Sequence, residues 1–434
     1  MARRRRCLYC AAARSSALRQ VIASAAALLL GFALLQMGNA LQGTLLALRG
    51  QAEGFSALGI GAVMSGFFIG MGAGSFLAPG LIRRAGHLRA FAALASMASA
   101  AALAHLLFVD IWAWLVIRAF SGLCFAGMFM VVESWLNASV SSRQRGGLLA
   151  IYAATGLGAG ALGQLQISLA APESHVLFAV VSITLSLALV PASLSDAQSP
   201  MQDIPAGRIK PGLILKASPF GAIATLLVGM SVGCFFALAP VFAEARGLST
   251  AQLGAFMALA TGGAMAAQWP LGRLSDRVSR RGVASGAALA AVVVLMLFVV
   301  LPSGQAGVTL ALGAALGAAV FPVQAIAAAQ VNDRVERRDM IAAAGTLVMV
   351  LAAGAASGPM IGGLAMDIAG PNGFIWALGV FQLAIAAVGA ARLLTRPGRA
   401  GGADRVTPLA PLHPVGGPLE LPRDDQSAAG GPSR

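Results

Sequence analysis

The sequence predicts an all-α membrane protein, with twelve transmembrane helices arranged as two pseudo-symmetric six-helix bundles. Three observations carry that prediction. Of 434 residues, 58% are hydrophobic and 11% charged, where a soluble protein of this size carries about 25% charge. The apolar residues fall in repeated runs long enough to cross roughly 30 Å of hydrocarbon. The basic residues also alternate between connections. Arg83, Arg84, Arg89, Arg143, Arg145, Arg208, Lys210 and Lys216, then Arg273 to Arg281 and Arg334 to Arg338, fall on one side with the N-terminal segment. The other connections hold Arg49 and Arg246 alone. The positive-inside rule then puts both termini and the central loop in the cytoplasm, with the spans in a bacterial inner membrane. The alternating ten-residue segments of an outer-membrane barrel are absent.

Taken in order, residues 1–18 form a basic tail with Arg3 to Arg6 and Arg14. The first span, 21–48, contains Gly38-Asn39-Ala40, which loosely resembles a signal-peptide cleavage site. The run is too long for a signal-peptide core, and removing it would scramble the charge alternation. Five spans follow at 57–82, 90–109, 111–137, 147–170 and 176–194, completing a first bundle over 19–194. The segment 195–216 contains Pro200, Pro205 and Pro211 and reads as a cytoplasmic loop dividing the chain. A second bundle, 217–394, has spans at 217–245, 250–272, 283–301, 305–331, 340–366 and 374–394. Residues 395–434, rich in Pro, Gly and polar side chains, read as a disordered cytoplasmic tail.

The net charge of +14 does not indicate nucleic-acid binding, because the basic residues sit in short connections as topology signals do. Cys124 and Cys234 lie within spans and read as small packing residues. Cys7 and Cys10 form a lone CxxC without a second ligand pair, a weak metal signal. No metal, cofactor or nucleotide-binding loop is expected, and the protein does not read as an enzyme.

The chemistry centres on the fourth span. Arg118 lies eight residues past Asp110, which marks its start, so it sits roughly 12 Å inside. A charge there is costly, by roughly 3 kcal/mol, and normally faces a cavity or a partner. It either binds an anionic group of a substrate or braces the first span through Asn39 or Gln42. Gln36, Asn39 and Gln42 share one face of that span and suit a polar pathway. Gln164, Gln268 and Gln324 punctuate later spans, either as cleft residues or as interhelical hydrogen-bonding groups.

Glu133 is the one carboxylate clearly within a span, since Glu53, Asp110, Glu244 and Asp367 fall at span ends. It either closes a structural or gating salt bridge with Arg83, Arg84, Arg143 or Arg145, or carries a coupling proton. His105 reads as a hydrogen-bonded helix residue. Tyr152 lies near the inner interface, where tyrosines are common. Pro79, Pro240, Pro270, Pro322 and Pro359 are expected to kink their helices.

The halves echo each other. LIRRAGHLR at Leu81–Arg89 is repeated as LGRLSDRVSRR at Leu271–Arg281, and GLGAGALGQ from Gly156 as GAASGPMIGG from Gly354. On these segments the chain resembles the major facilitator superfamily, over about residues 19–394. That family's signature G-x-L-a-D-R-x-G-R-K is matched in the second half by Gly272, Asp276, Arg277, Arg280 and Arg281. In the first half Arg83 stands at the aspartate position, while Arg84 and Gly86 fit. The R-x-x-x-G motif is matched by Arg118 and Gly122. The G-x-x-x-G-P-x-x-G-G motif is matched by Gly354, Gly358, Pro359, Gly362 and Gly363, on the eleventh span rather than the fifth, where antiporters carry it. VVES at 131–134, RGGLLAIY at 145–152, QWPLGRLSDR at 268–277 and FPV at 321–323 are similar, more narrowly, to a YcaD-type bacterial branch.

The resemblance implies a monomeric secondary transporter working by alternating access. A small organic solute would bind near mid-membrane between the halves. Arg118, Gln36, Asn39, Gln164, Gln268 and Gln324 are its candidate cleft residues. Glu133, Arg83, Arg84, Arg145, Asp276 and Arg277 are the candidate gating or coupling residues, with protons as a candidate coupling ion. Export is favoured over import by resemblance alone. An uptake permease, or a non-transporting sensor or assembly protein on the same fold, is the alternative reading.

Overall fold

The computed structural model describes residues 2–138, 145–194 and 210–395. The side chains of Cys7, Cys10 and Arg145, together with Arg143, Arg208 and the segment 396–434, fall outside the described residues. Every long element is a helix. α1 (Ala2–Ala52) continues back through the segment expected to be a basic tail. Next come α2 (Ala57–Ala85), α3 (His87–Leu107), α4 (Ile111–Ala138) and α5 (Arg145–Leu165). The expected sixth span is broken into α6 (Val176–Leu187) and the short α7 (Leu189–Ser193).

The central segment ends in a further short helix, α8 (Pro211–Ala217), where the sequence predicts loop. Beyond it lie α9 (Pro219–Ala245), α10 (Thr250–Arg277) and α11 (Arg280–Val300). The next span is split into α12 (Ala306–Val320) and α13 (Pro322–Asn332), because Pro322 has no N–H to continue the ladder. The last two are α14 (Met340–Ala369) and α15 (Gly373–Thr395). The helices run on through Pro79, Pro240, Pro270 and Pro359.

Among the described residues, ten segments are long and apolar enough to cross a membrane. The last of these, Ala342–Leu394, contains both α14 and α15, and α10 is not among the ten. Its polar Gln252, Gln268, Arg273, Asp276 and Arg277 dilute an Ala- and Gly-rich helix.

The packing repeats along the chain. α1 packs on α5, α2 on α4 and α3 on α6. In the later part α9 packs on α14, α10 on α12 and α11 on α15. The two sets meet where α2 lies against α14, α5 against α10 and α1 against α9. Side-chain caps define several helix starts. Ser56 Oγ accepts from Gly59 N at 3.0 Å, and Asp110 Oδ1 accepts from Trp112 N and Ala113 N at 2.9 and 3.0 Å. Ser249 and Gln252 form a reciprocal capping box at α10.

The two basic residues off the basic face both have local work. Arg49 binds Glu53, at 2.7 Å from Nε, and the carbonyl of Glu173. Arg246 donates to the carbonyls of Phe298 and Leu301 at 2.7 and 3.1 Å, tying α9 to the end of α11.

The closest approach that matters for Arg118 is between α2 and α4. Gly122 lies against the backbone carbonyl of Phe67, and a Cβ there would run into it. The glycine of R-x-x-x-G therefore lets α4 ride on α2 and seats Arg118 over the Phe67 ring. Gly122→Val is expected to lower thermal stability of the purified protein by about 1–3 kcal/mol, the usual range for overpacking. Gly286→Ala, on α11 with open space around it, is expected to leave the melting temperature within a degree or two.

Candidate functional site

A cavity opens where the two helix sets meet. It is lined from α1 by Gln36, Asn39, Gly43 and Thr44, from α2 by Met64, Phe67, Phe68 and Met71, and from α4 by Arg118 and Phe129. Gly156, Leu157, Gly160 and Gln164 of α5 complete that side, facing Val232, Phe236 and Ala237 of α9 and Thr261 of α10. Its empty volume is about 990 Å³, open solvent at the mouth included. The polar atoms are unevenly shared. Arg118 and the amides all come from α1, α4 and α5. The later helices contribute apolar surface and one hydroxyl, which is already bonded to Met257 O at 3.0 Å.

Arg118 is 3% exposed. Its guanidinium lies over the Phe67 ring, 4.3 Å from the centroid, a cation–π contact that its burial strengthens. Nη1 donates to Gln42 Oε1 at 3.1 Å. Nε is buried with no partner. No carboxylate lines the cavity among the described residues. The brace to the first span expected from the sequence is therefore present, but it satisfies one edge of the group. Other buried polar atoms here are also unmatched: Gln36 Oε1, Asn39 Oδ1 and Gln42 Nε2. Thr44 donates its hydroxyl to Gln164 Oε1, pinning α5 to α1.

The structure thus gathers Arg118, Gln36, Asn39 and Gln164 into one site. Gln268 and Gln324 do not line it. Gln268 lies seven residues beyond Thr261 on α10, roughly 10 Å further along the helix. Gln324 sits two residues past the Pro322 break, with a buried, unpartnered Oε1 of its own. Composition alone gave the cleft its amides but not its apolar walls. Phe67, Phe68 and Phe236 are indistinguishable in sequence from packing residues.

The expected gating residues fall differently. Glu133 is 5% exposed, and Tyr152 donates its hydroxyl to it at 3.3 Å. Arg83 and Arg84, offered by the sequence as partners for it, lie exposed at the end of α2. Asp276 accepts from its neighbour Arg280, 3.0 Å away, and Arg280 also binds Asp333 at 2.7 Å. Arg277 is exposed. His105 is fully buried; its Nδ1 donates to Ala101 O at 2.8 Å, and Trp114 Nε1 donates to the His105 carbonyl at 3.1 Å. Cys124 and Cys234 are free and buried, as packing residues are.

One contact between the helix sets was not legible in the sequence. Asp367, at the end of α14, accepts from Ala57 N at 2.9 Å and Leu58 N at 3.1 Å. A carboxylate from one set thus caps the first turn of a helix in the other, where the N-terminal dipole favours negative charge. Gly61 and Gly363 let the two backbones meet there, against the carbonyls of Pro359 and Ala57.

A cavity between two similarly packed sets of long apolar helices defines a polytopic membrane protein with room for a small molecule at the seam. The sequence matches the Major Facilitator Superfamily over residues 28–346 and 221–421. It is 32% identical over 344 residues to the uncharacterized MFS-type transporter YcaD of Escherichia coli O17:K52:H18 (strain UMN026 / ExPEC), covering 78% of this chain and 88% of that one. The fold is similar to that of the nucleoside transporter NupG, with TM-score 0.70, 12% identity, and coverage of 88% and 100%. It is also similar to a bacterial homologue of the human lysosomal transporter Spinster, with TM-score 0.67, 14% identity, and coverage of 85% and 96%. The chain belongs to the major facilitator superfamily of membrane transporters.

The Asp367 contact joins the two helix sets, and Asp367→Asn is expected to loosen that seam by removing the charge from the α2 cap. A cysteine placed at the cavity wall by Ala40→Cys is expected to react several-fold faster with a membrane-impermeant thiol reagent added outside intact cells. An unchanged rate would mean that the cap is not a barrier to opening.

Proposed function

We propose that this protein is a secondary active transporter of twelve spans in two six-helix halves. It sits in the bacterial inner membrane with both termini in the cytoplasm. It carries a small organic solute with an anionic group, bound in the cavity at Arg118 beside Gln36, Asn39 and Gln164. The two halves rock about that site to expose it to each side in turn. The observation that carries this reading is the buried guanidinium with an unpartnered edge in a cavity between the helix sets. A buried charge is too costly to hold idle when an apolar side chain would pack as well.

The direction favoured is export, on family resemblance, with uptake as the second reading. Glu133 and its Tyr152 partner, buried within α4 and α5, are the candidate groups for proton coupling or for gating. The Arg280 pairs to Asp276 and Asp333 support a structural role for the second-half signature loop at the basic face.

Comparative metabolomics of cells expressing the wild type or Arg118→Ala at matched membrane levels tests the reading. Export predicts intracellular depletion of one class of compound, reversed by the substitution. Uptake predicts accumulation instead. Identical profiles for wild type, variant and empty vector would favour a non-transporting sensor or assembly protein on this fold.

A further inference from the structure

The site's hydrogen-bonding pattern narrows the ligand further than charge sign alone. We infer that the cavity selects an amphipathic monocarboxylate whose apolar or aromatic body carries a neutral hydrogen-bond donor, a hydroxyl or amide N–H. This inference rests on the reading of the cavity as a solute site.

The charge comes first. One guanidinium and no carboxylate line the cavity among the described residues. A single negative charge on the ligand is balanced. A second would find no cation in the lining to balance it, and an ammonium would meet Arg118 with no acid to offset it. The geometry of Arg118 favours a carboxylate in particular. With Nη1 engaged by Gln42 and one face covered by Phe67, Nε is left without a partner, on the edge it shares with Nη2. Two parallel N–H donors on one edge match the two oxygens of a carboxylate.

The amides supply the second criterion. Gln36 Oε1 and Asn39 Oδ1 are buried acceptors without donors. Leaving such atoms unmatched in a loaded site is unfavourable, so the ligand is selected for a donor that reaches them. A neutral donor is sufficient and avoids a second charge. The third criterion is the wall. Phe67, Phe68 and Phe129 on one side and Phe236 with Val232 on the other line it with aromatic and aliphatic side chains. A carboxylate held by α4 would thus extend an apolar body toward α9. The ligand's two ends would then be read by different helix sets.

The test uses the full chain in lipid nanodiscs and four probes: 3-(4-hydroxyphenyl)propanoate, its primary amide, tyramine and glutarate. Binding is read by isothermal titration and by the shift in melting temperature. The hydroxyphenyl carboxylate is expected to bind, with affinity at least about tenfold above the other three. Arg118→Gln should abolish that preference while the unliganded protein keeps its melting temperature. Should Arg118→Gln fail to fold, Asn39→Leu together with Gln36→Leu serves instead. That pair should weaken the hydroxyphenyl probe several-fold and leave 3-phenylpropanoate unchanged. Equal or tighter binding of tyramine, the amide or glutarate overturns the inference, as does no binding of the hydroxyphenyl carboxylate up to solubility.

Counterflow in proteoliposomes separates this from the transport reading. Carboxylate binding without flux would refute transport and leave the ligand class standing. Flux of tyramine or of the amide would refute the ligand class and leave transport standing.

Discussion

A guanidinium inside an apolar helix bundle has to be reconciled with a medium that solvates it poorly, and the organisation around Arg118 is the reconciliation. Gly122 brings α4 onto α2 so that the Phe67 ring covers one face of the group. Gln42 of α1 takes one N–H. Thr44 and Gln164 bind α1 to α5 and close the same corner. These contacts hold the charge in place without neutralising it. A full counter-ion from the protein would have given a more stable bundle and a site with nothing left to offer an anion. The residual edge is what the proposed ligand selectivity rests on.

The repeated packing, with α1 on α5, α2 on α4 and α3 on α6 echoed by α9 on α14, α10 on α12 and α11 on α15, yields two similar scaffolds. Their chemistry is unequal. Arginine and amides line the cavity from the earlier helices, while Val232, Phe236 and Ala237 line it from α9. The contacts joining the sets include small-residue approaches, such as Gly61 and Gly363, and bonds to backbone N–H groups, as in the Asp367 cap on α2. Contacts of that kind can be made and broken without leaving a large apolar face exposed, unlike an interdigitated aromatic core. That property suits the alternating interface proposed above.

Much of this was legible in the sequence because membrane insertion imposes its rules one segment at a time. Run length, basic alternation and the echo of LIRRAGHLR in LGRLSDRVSRR need no tertiary information. Arg118, Gln36, Asn39 and Gln164 were found because polar atoms in an apolar span are conspicuous. What one-dimensional reasoning could not supply was depth and azimuth between helices. Gln268 and Gln324 looked equivalent to Gln164 yet lie away from the cavity. Glu133 has a hydroxyl partner that topology does not suggest, Tyr152 on the next helix, while two of its expected arginine partners, Arg143 and the Arg145 side chain, lie outside the described residues. Asp367 read as an ordinary helix-end acid, because its partners are backbone N–H groups 310 and 309 residues earlier in the chain. Helix ends also moved: α1 extends through the basic segment, and the sixth and tenth spans are interrupted.

Among the described residues no carboxylate lines the cavity beside Arg118, and in the proposed site its Nε–Nη2 edge meets the solute. The most direct measurement is a cryo-EM structure of the wild-type protein in lipid nanodiscs saturated with a bound carboxylate. Density continuous with that edge is expected, with the two carboxylate oxygens at about 2.7–2.9 Å from the nitrogens, and Gln42 still on Nη1. A side-chain carboxylate of the protein found paired with Arg118, and ligand density elsewhere, would contradict it.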